Sequence, residues 1–209
     1  MKLRVRGICS ITNFDVHPYK TDDKFKCVQN DYQLIFNNNT KVRELEENGA
    51  SIPYKSFDFY DHGDLKRIKN LNVYLIDVIE IIQNREYITL KDLVNRLGQK
   101  NLQTKFSITD GSSNVNVTFW DAMTKLFYQQ LTLQPVHEHV IIIITSCKIG
   151  IGMVFFSFKK YVNQHVQFQF RDVLTLKTYA TDQVDISNVG ATTFYLNYQH
   201  HSVTEIRKR

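Results

Sequence analysis

The run Thr109-Asp-Gly-Ser-Ser-Asn-Val-Asn-Val-Thr-Phe-Trp120 decides how this chain is read. Just upstream, Gln103-Thr-Lys-Phe-Ser-Ile-Thr109 alternates apolar Phe106 and Ile108 with Lys105, Ser107 and Thr109, the period of a half-buried strand. Asp110-Gly-Ser-Ser113 supplies turn chemistry. The next strand sends Val115, Val117 and Phe119 to one face and Asn116, Thr118 and Trp120 to the other. The sole tryptophan therefore falls on the polar face, beside Lys105, Ser107 and Thr109 of the neighbouring strand. An aromatic plane, a cation and hydroxyls on one surface suit stacked nucleic-acid bases. The same ring covered by a neighbouring loop is the other reading. Asp121 is placed to cap a helix whose Ala122, Leu126 and Phe127 form an apolar stripe.

Outward from this hairpin, Asn72-Val-Tyr-Leu-Ile-Asp-Val-Ile-Glu-Ile-Ile82 reads as a strand that is largely apolar on both faces. Gln83 to Asn101 is a long connection, in which Leu90-Lys-Asp-Leu-Val-Asn-Arg-Leu97 predicts a short helix ended by Gly98. His139 to Ile149 is a further strand, and Ser187 to Tyr198 contains the last one. Between them, roughly Gly150 to Asp182, lies an aromatic-rich stretch. It reads either as an enlarged loop with Val166-Gln-Phe-Gln-Phe170 as an extra strand, or as an insertion without a role. Near the N terminus, Leu3 to Phe14 and Lys24 to Phe36 read as two strands around a polar turn at Tyr19 to Asp23. Arg43 to Arg67, broken by Gly49 and Pro53 and carrying Tyr54, Phe57, Phe59 and Tyr60, reads as a linker with an aromatic dock. His200-His201 and Arg207-Lys208-Arg209 read as a solvated terminus.

With 209 residues, 43% hydrophobic and 22% charged, the chain can build one sizeable core or two small ones. Its longest apolar run, Val140-Ile-Ile-Ile-Ile-Thr145, has the length of a buried strand, so neither a membrane span nor a signal peptide is expected. Cys9, Cys27 and Cys147 are far apart and lack Cys-x-x-Cys pairing, which predicts reduced, buried thiols and no structural zinc. His137-Glu-His139 lacks a third nearby ligand and reads as surface histidines. The formal charge of +5 suits a polyanionic partner but is common among proteins that bind none. There is no Gly-rich phosphate loop and no nucleophile order tied to an elbow, so the expectation is a binding protein without a cofactor, not an enzyme.

Two stretches carry a resemblance. Thr109 to Trp120, with Asp121-Ala122 and an aromatic helix, resembles the strand 2, strand 3 and helix segment of the second OB domain in the large subunit of replication protein A. Phe25 to Val42, with Val28-Gln-Asn-Asp-Tyr and Ile35-Phe-Asn-Asn-Asn-Thr-Lys-Val, resembles the last strand of the first high-affinity OB domain of that subunit. The Ile-Pro and Phe-x-Phe of the linker are similar to plant-type members, and Ala191-Thr-Thr-Phe-Tyr-Leu-Asn197 is similar to the family's Ala-Thr-x-Phe-Tyr-x-Asn ending. Where Asp121 stands, the family often has Gly.

The resemblance implies a mainly β protein. One complete five-stranded Greek-key OB barrel would occupy 69–202, with an insertion at about 150–182. It would be preceded by an N-terminally truncated first OB domain at 1–42 and a linker at 43–68, and followed by a basic tail at 203–209. The implied function is binding of single-stranded DNA with little sequence preference, in DNA replication, repair and recombination in the nucleus. Trp120 and Phe25 would stack on bases, with Lys105, Ser107 and Thr118 on the Trp120 face and Lys24 and Lys26, beside Lys20, at phosphates. For these three lysines, solvation of an edge strand is the other reading. Other replication protein A subunits are implied partners, although the assembling C-terminal domain has no counterpart in these residues. OB surfaces are widely reused, so a degenerate paralogue whose barrel binds protein is the second functional reading.

Overall fold

The computed structural model describes residues 7–20, 23–45, 55–68, 73–94, 97–136, 138–156 and 177–208, with the backbone alone along 151–156 and 177–182. In chain order the elements are β1 (Ile8–Thr12), β2 (Asp15–Pro18), β3 (Tyr32–Ile35), β4 (Lys41–Leu45), α1 (His62–Ile68), β5 (Ile76–Ile82), β6 (Lys91–Val94) and β7 (Lys100–Thr109). They continue with β8 (Asn114–Trp120), α2 (Asp121–Thr132), β9 (Ile141–Phe156), β10 (Lys177–Ser187), β11 (Thr193–Leu196) and α3 (His201–Arg207).

A barrel closes in the order β5, β7, β8, β10, β9 and back to β5. Four of its contacts are antiparallel; β8 and β10 run parallel, with Asp185, Ile186 and Ser187 opposite Asn116, Val117 and Thr118. Five strands closed by one parallel pair make an OB fold. Inside it, Phe106, Phe119, Phe127 and Phe194 form a ring cluster, with Phe127 stacked on Phe106 at 4.5 Å and edge-on to Phe119 at 5.2 Å between centroids. Phe127 comes from α2, which seals one end of the barrel. Arg85 secures the C terminus of α2, donating to the carbonyls of Leu131, Gln134 and Pro135, where unpaired carbonyls attract a cation.

The largely apolar β5 and the isoleucine run of β9 follow from two cores. Ile76, Val78 and Ile82, with Ile142 and Ile144, face the barrel. Ile79, with Ile141 and Ile143, faces a second cluster closed by Val203 and Ile206 of α3. Onto that cluster the linker lays Phe57 and Phe59, stacked at 5.2 Å, with Phe57 edge-on to Tyr195, Tyr198 and His200. The Asp77 carboxylate pins this dock by accepting from Asp58 N at 3.2 Å and Ser146 N at 2.9 Å.

Several expectations change. Within the helix expected over Leu90 to Leu97, Lys91–Val94 is a strand that pairs antiparallel with Lys100–Gln103, because an eight-residue helix is marginal alone whereas the free end of β7 offers a ladder; Gly98 takes φ 76 just before β7. The last barrel strand begins before Ser187, and Gly150 to Phe156 and Lys177 to Asp182 lengthen β9 and β10 instead of forming a loop. Val166 to Phe170 lies outside the described residues. The C-terminal residues are a packed helix and not a solvated tail, since Val203 and Ile206 are buried. On α2 the buried face is Thr124, Phe127 and Leu131, while Leu126 is exposed. Among the cysteines only Cys147 is buried; Cys9 is half-buried and Cys27 exposed.

The N-terminal residues do not make two long strands. Asn13 takes φ 58 and breaks the first. β1 then pairs with β4 and β2 with β3 as two antiparallel ribbons. Within Lys24 to Phe36 only Tyr32–Ile35 is a strand. β4 runs across the boundary drawn between residues 42 and 43, and α1 forms inside the linker, burying Leu65 completely in the barrel core.

α1 also buries His62 beside the β7–β8 turn. Asp110 accepts from Ser112 N, Ser113 N and the Ser112 hydroxyl; burial alone would raise its carboxyl, but these donors bring it down to about 2. His62 Nδ1 lies 2.6 Å from Ser113 Oγ and 3.4 Å from Asp110 Oδ2, and Nε2 lies 3.8 Å from Glu80 Oε1. Burial holds the imidazole below its ordinary 6.5 despite the raising influence of Asp110. With the folded value below the unfolded one, the stability that neutral His62 supplies is present above 6.5 and lost as pH falls below it. Denaturant unfolding is expected to show the wild-type midpoint dropping from about pH 7.5 to about pH 5.5, more steeply than in His62→Gln. Equal slopes would remove His62 as the titrating group.

Candidate nucleic-acid interface

The alternation of β7 and β8 is realised residue by residue. Gln103 stands opposite Trp120, Lys105 opposite Thr118 and Ser107 opposite Asn116, all on the outer face. Their inward neighbours Phe106, Val117 and Phe119 are buried. Barrel closure extends these rows over two more strands. Thr118 is opposite Ser187, and Ser187 is opposite Lys148, giving an outer row Lys105, Thr118, Ser187, Lys148. The next inward row, Phe106, Val117, Ile186 and Ile149, is buried throughout, which fixes the direction of both.

Trp120 ends β8 and is half-buried. Its N–H donates to Asn188 Oδ1 at 2.8 Å, so the chain after β10 fixes the backbone that carries the ring. Asp121 follows at φ 51, the left-handed region that Gly favours and Asp tolerates. It does not cap α2. Its carboxylate accepts from Leu102 N of β7 at 3.0 Å, because the left-handed start turns the side chain back toward the sheet.

Among the residues expected at the site, Trp120, Lys105, Thr118 and Ser107 share this face. Lys105 is exposed. The Ser107 hydroxyl donates to Asn116 Oδ1 at 3.2 Å, and Asn116 Nδ2 donates to Asp185 Oδ1 at 2.9 Å, so that row is occupied by its own hydrogen bonds and ends in a carboxylate. Phe25 reaches the same face from the other side, its ring 5.3 Å from Lys148 Nζ. Lys24 is exposed. Lys26 is engaged elsewhere, with its ammonium 4.4 Å from the Tyr19 ring centroid and 5.7 Å from that of Tyr74. Sequence reading missed Lys148, Ser187 and Asn188. Lys148 is the first charged side chain after the isoleucine run, and its face was legible from the alternation Cys147, Lys148, Ile149. Its place beside Thr118 depends on the parallel closure, which no local pattern announces. His137 lies outside the described residues, and among these no cluster of three or more metal-ligating side chains forms.

A barrel of this topology, with aromatic and basic side chains on the face of its second and third strands, defines an OB-fold protein. In sequence, the chain is similar to the large subunit of replication protein A. One of the 70 kDa DNA-binding subunits of replication protein A from Arabidopsis thaliana is 29% identical over 130 residues, which cover 61% of this chain and 21% of that protein. The corresponding subunit of Mus musculus is 30% identical over 98 residues, covering 46% of this chain and 15% of that one. The chain thus spans about a fifth or less of the length of these relatives. A chain of a replication protein A heterotrimer bound to ssDNA superposes with TM-score 0.53 at 17% identity, over 99% of this chain and 39% of that one; at that identity the likeness concerns the fold. No protein-family model matches the chain.

Proposed function

We propose that the chain binds single-stranded DNA with little sequence preference, by stacking bases on Trp120 and neutralising phosphates with basic side chains around it. The observation that carries this reading is a lone tryptophan held on the outer, polar face of a closed OB barrel, in register with Lys105 and Thr118. A ring held there accepts any base, since every base has a stacking face, and the nearby cation supplies affinity without selecting sequence. The likeness to replication protein A subunits supports work in DNA replication, repair and recombination in the nucleus, with other subunits of that assembly as partners. No step in this reading makes or breaks a covalent bond.

Titration of labelled single-stranded and double-stranded oligonucleotides tests it. The single strand is expected to bind more tightly, with log K falling linearly against log salt at about 0.7 per phosphate neutralised. Lys105→Gln is expected to weaken binding modestly and reduce that slope by about 0.7. A flat salt response, or equal affinity for the duplex, would favour the reading in which the barrel face receives a protein.

A further inference from the structure

Phe25 belongs to the N-terminal segment, yet the barrel holds it. Lys26 donates its N–H to Val73 O at 2.9 Å and its carbonyl accepts from Leu75 N at 2.8 Å, a parallel bridge onto the chain leading into β5. The Lys26 ammonium lies over Tyr19 and Tyr74. One residue earlier, Phe25 adopts φ 61, where a residue with a Cβ and a large ring persists only if its surroundings hold it. What meets the ring is Lys148, with Nζ 5.3 Å from the centroid, inside the range of a cation–ring attraction.

Lys148 closes the outer row that begins at Lys105 and passes through Thr118 and Ser187. From Thr118 to Lys148 is two strand spacings, and from Thr118 to Trp120 is two residues along β8, so the Cα atoms of Lys148 and Trp120 stand about 12 Å apart. Both aromatics therefore overlook one face, within the span of a few nucleotides. Phe25 is 39% exposed, which leaves surface for a base.

We infer that Lys148 is a positioning residue whose ammonium holds the Phe25 ring on the Trp120 face, so that the two rings serve one strand at a single composite site. The consequence for DNA rests on the proposed function; the positioning does not. A lysine that only met phosphate would act independently of Phe25, whereas a lysine that sets the ring acts through it. Lys148→Met keeps the aliphatic stem and removes the cation; Lys148→Arg keeps the cation.

The test uses the full chain with its 14 phenylalanines replaced by 4-fluorophenylalanine, the Phe25 fluorine resonance being assigned by its loss in Phe25→Leu. Without DNA, Lys148→Met is expected to shift or broaden that resonance and Lys148→Arg to restore it. With a labelled single strand, Lys148→Met is expected to weaken binding about two- to five-fold, the scale of one partly exposed cation–ring contact. It should cost nothing further in a Phe25→Leu background and should leave the salt slope unchanged. An unmoved fluorine resonance overturns the inference. So does a loss that adds to that of Phe25→Leu and lowers the salt slope by about 0.7, the mark of a direct phosphate contact. If the wild-type chain binds no oligonucleotide, the functional reading falls, and the fluorine measurement alone decides whether Lys148 positions the ring.

Discussion

Trp120→Ala is expected to weaken single-stranded DNA binding by about 5- to 150-fold, the equivalent of about 1–3 kcal/mol for one base–aromatic stack. The fold should survive. The ring is half-buried on the outer face, the core behind it is made by Val117 and Phe119, and the bond from Trp120 N to Asn188 Oδ1 is a main-chain contact that alanine retains. Anisotropy titration paired with thermal unfolding separates the two effects. Loss of affinity at an unchanged melting temperature assigns the ring to the ligand. Unchanged affinity would take Trp120 out of the site, and a parallel loss of stability would make it a covering ring of the barrel. The effect should exceed that of Lys105→Gln, because an exposed cation on a face open to solvent is screened, whereas a stacked ring removes apolar surface from water at any ionic strength.

Much of this site could be read in the chain because β7 and β8 are joined by a short turn and each alternates cleanly. Period 2 places every side chain of such a hairpin on one of two faces without further information. The same rule failed where tertiary pairing overrode local preference. Lys91 to Val94 has residues that suit a helix, but β7 extends beyond the barrel and offers an unpaired edge, so the segment completes a ladder. For α3 the difficulty was composition. His201, Arg207 and Lys208 look like a solvated end, and only the second apolar face of β5 and β9 shows what Val203 and Ile206 bury against. That face was visible as an unbroken isoleucine run, which by itself does not say what lies on either side. Phe25 was singled out by the resemblance, with lysines around it in the sequence. Its approach to Lys148 was not legible, since it depends on a left-handed residue and a backbone bridge to Val73 and Leu75.

The largest effect on stability is expected from Phe127→Ala. Phe127 is completely buried and touches three other rings, with centroids at 4.5 Å to Phe106, 5.2 Å to Phe119 and 5.5 Å to Phe194. These come from β7, β8 and β11, so one side chain of α2 joins three strands around the end of the barrel. Removing it leaves a cavity among elements that cannot all move inward together, and buried Phe→Ala changes cost about 3–5 kcal/mol. Set against a total stability of roughly 5–15 kcal/mol for a domain, that loss would leave the barrel marginal. Phe127→Leu, which keeps most of the volume, should cost less. Leu126→Ala is the informative partner: the sequence stripe puts Leu126 in the core, whereas the structure leaves it 47% exposed, so its substitution should change stability by no more than about 0.5 kcal/mol. Denaturant unfolding of the three variants measures this directly. A large loss for Leu126→Ala with a small one for Phe127→Ala would mean that α2 is rotated on its axis and that the helix seals the barrel with a different face. Because α2 leaves directly from Trp120, such a rotation would also change how the tryptophan is presented, and the affinity of Phe127→Ala for a single strand would then fall beyond what its unfolded fraction explains.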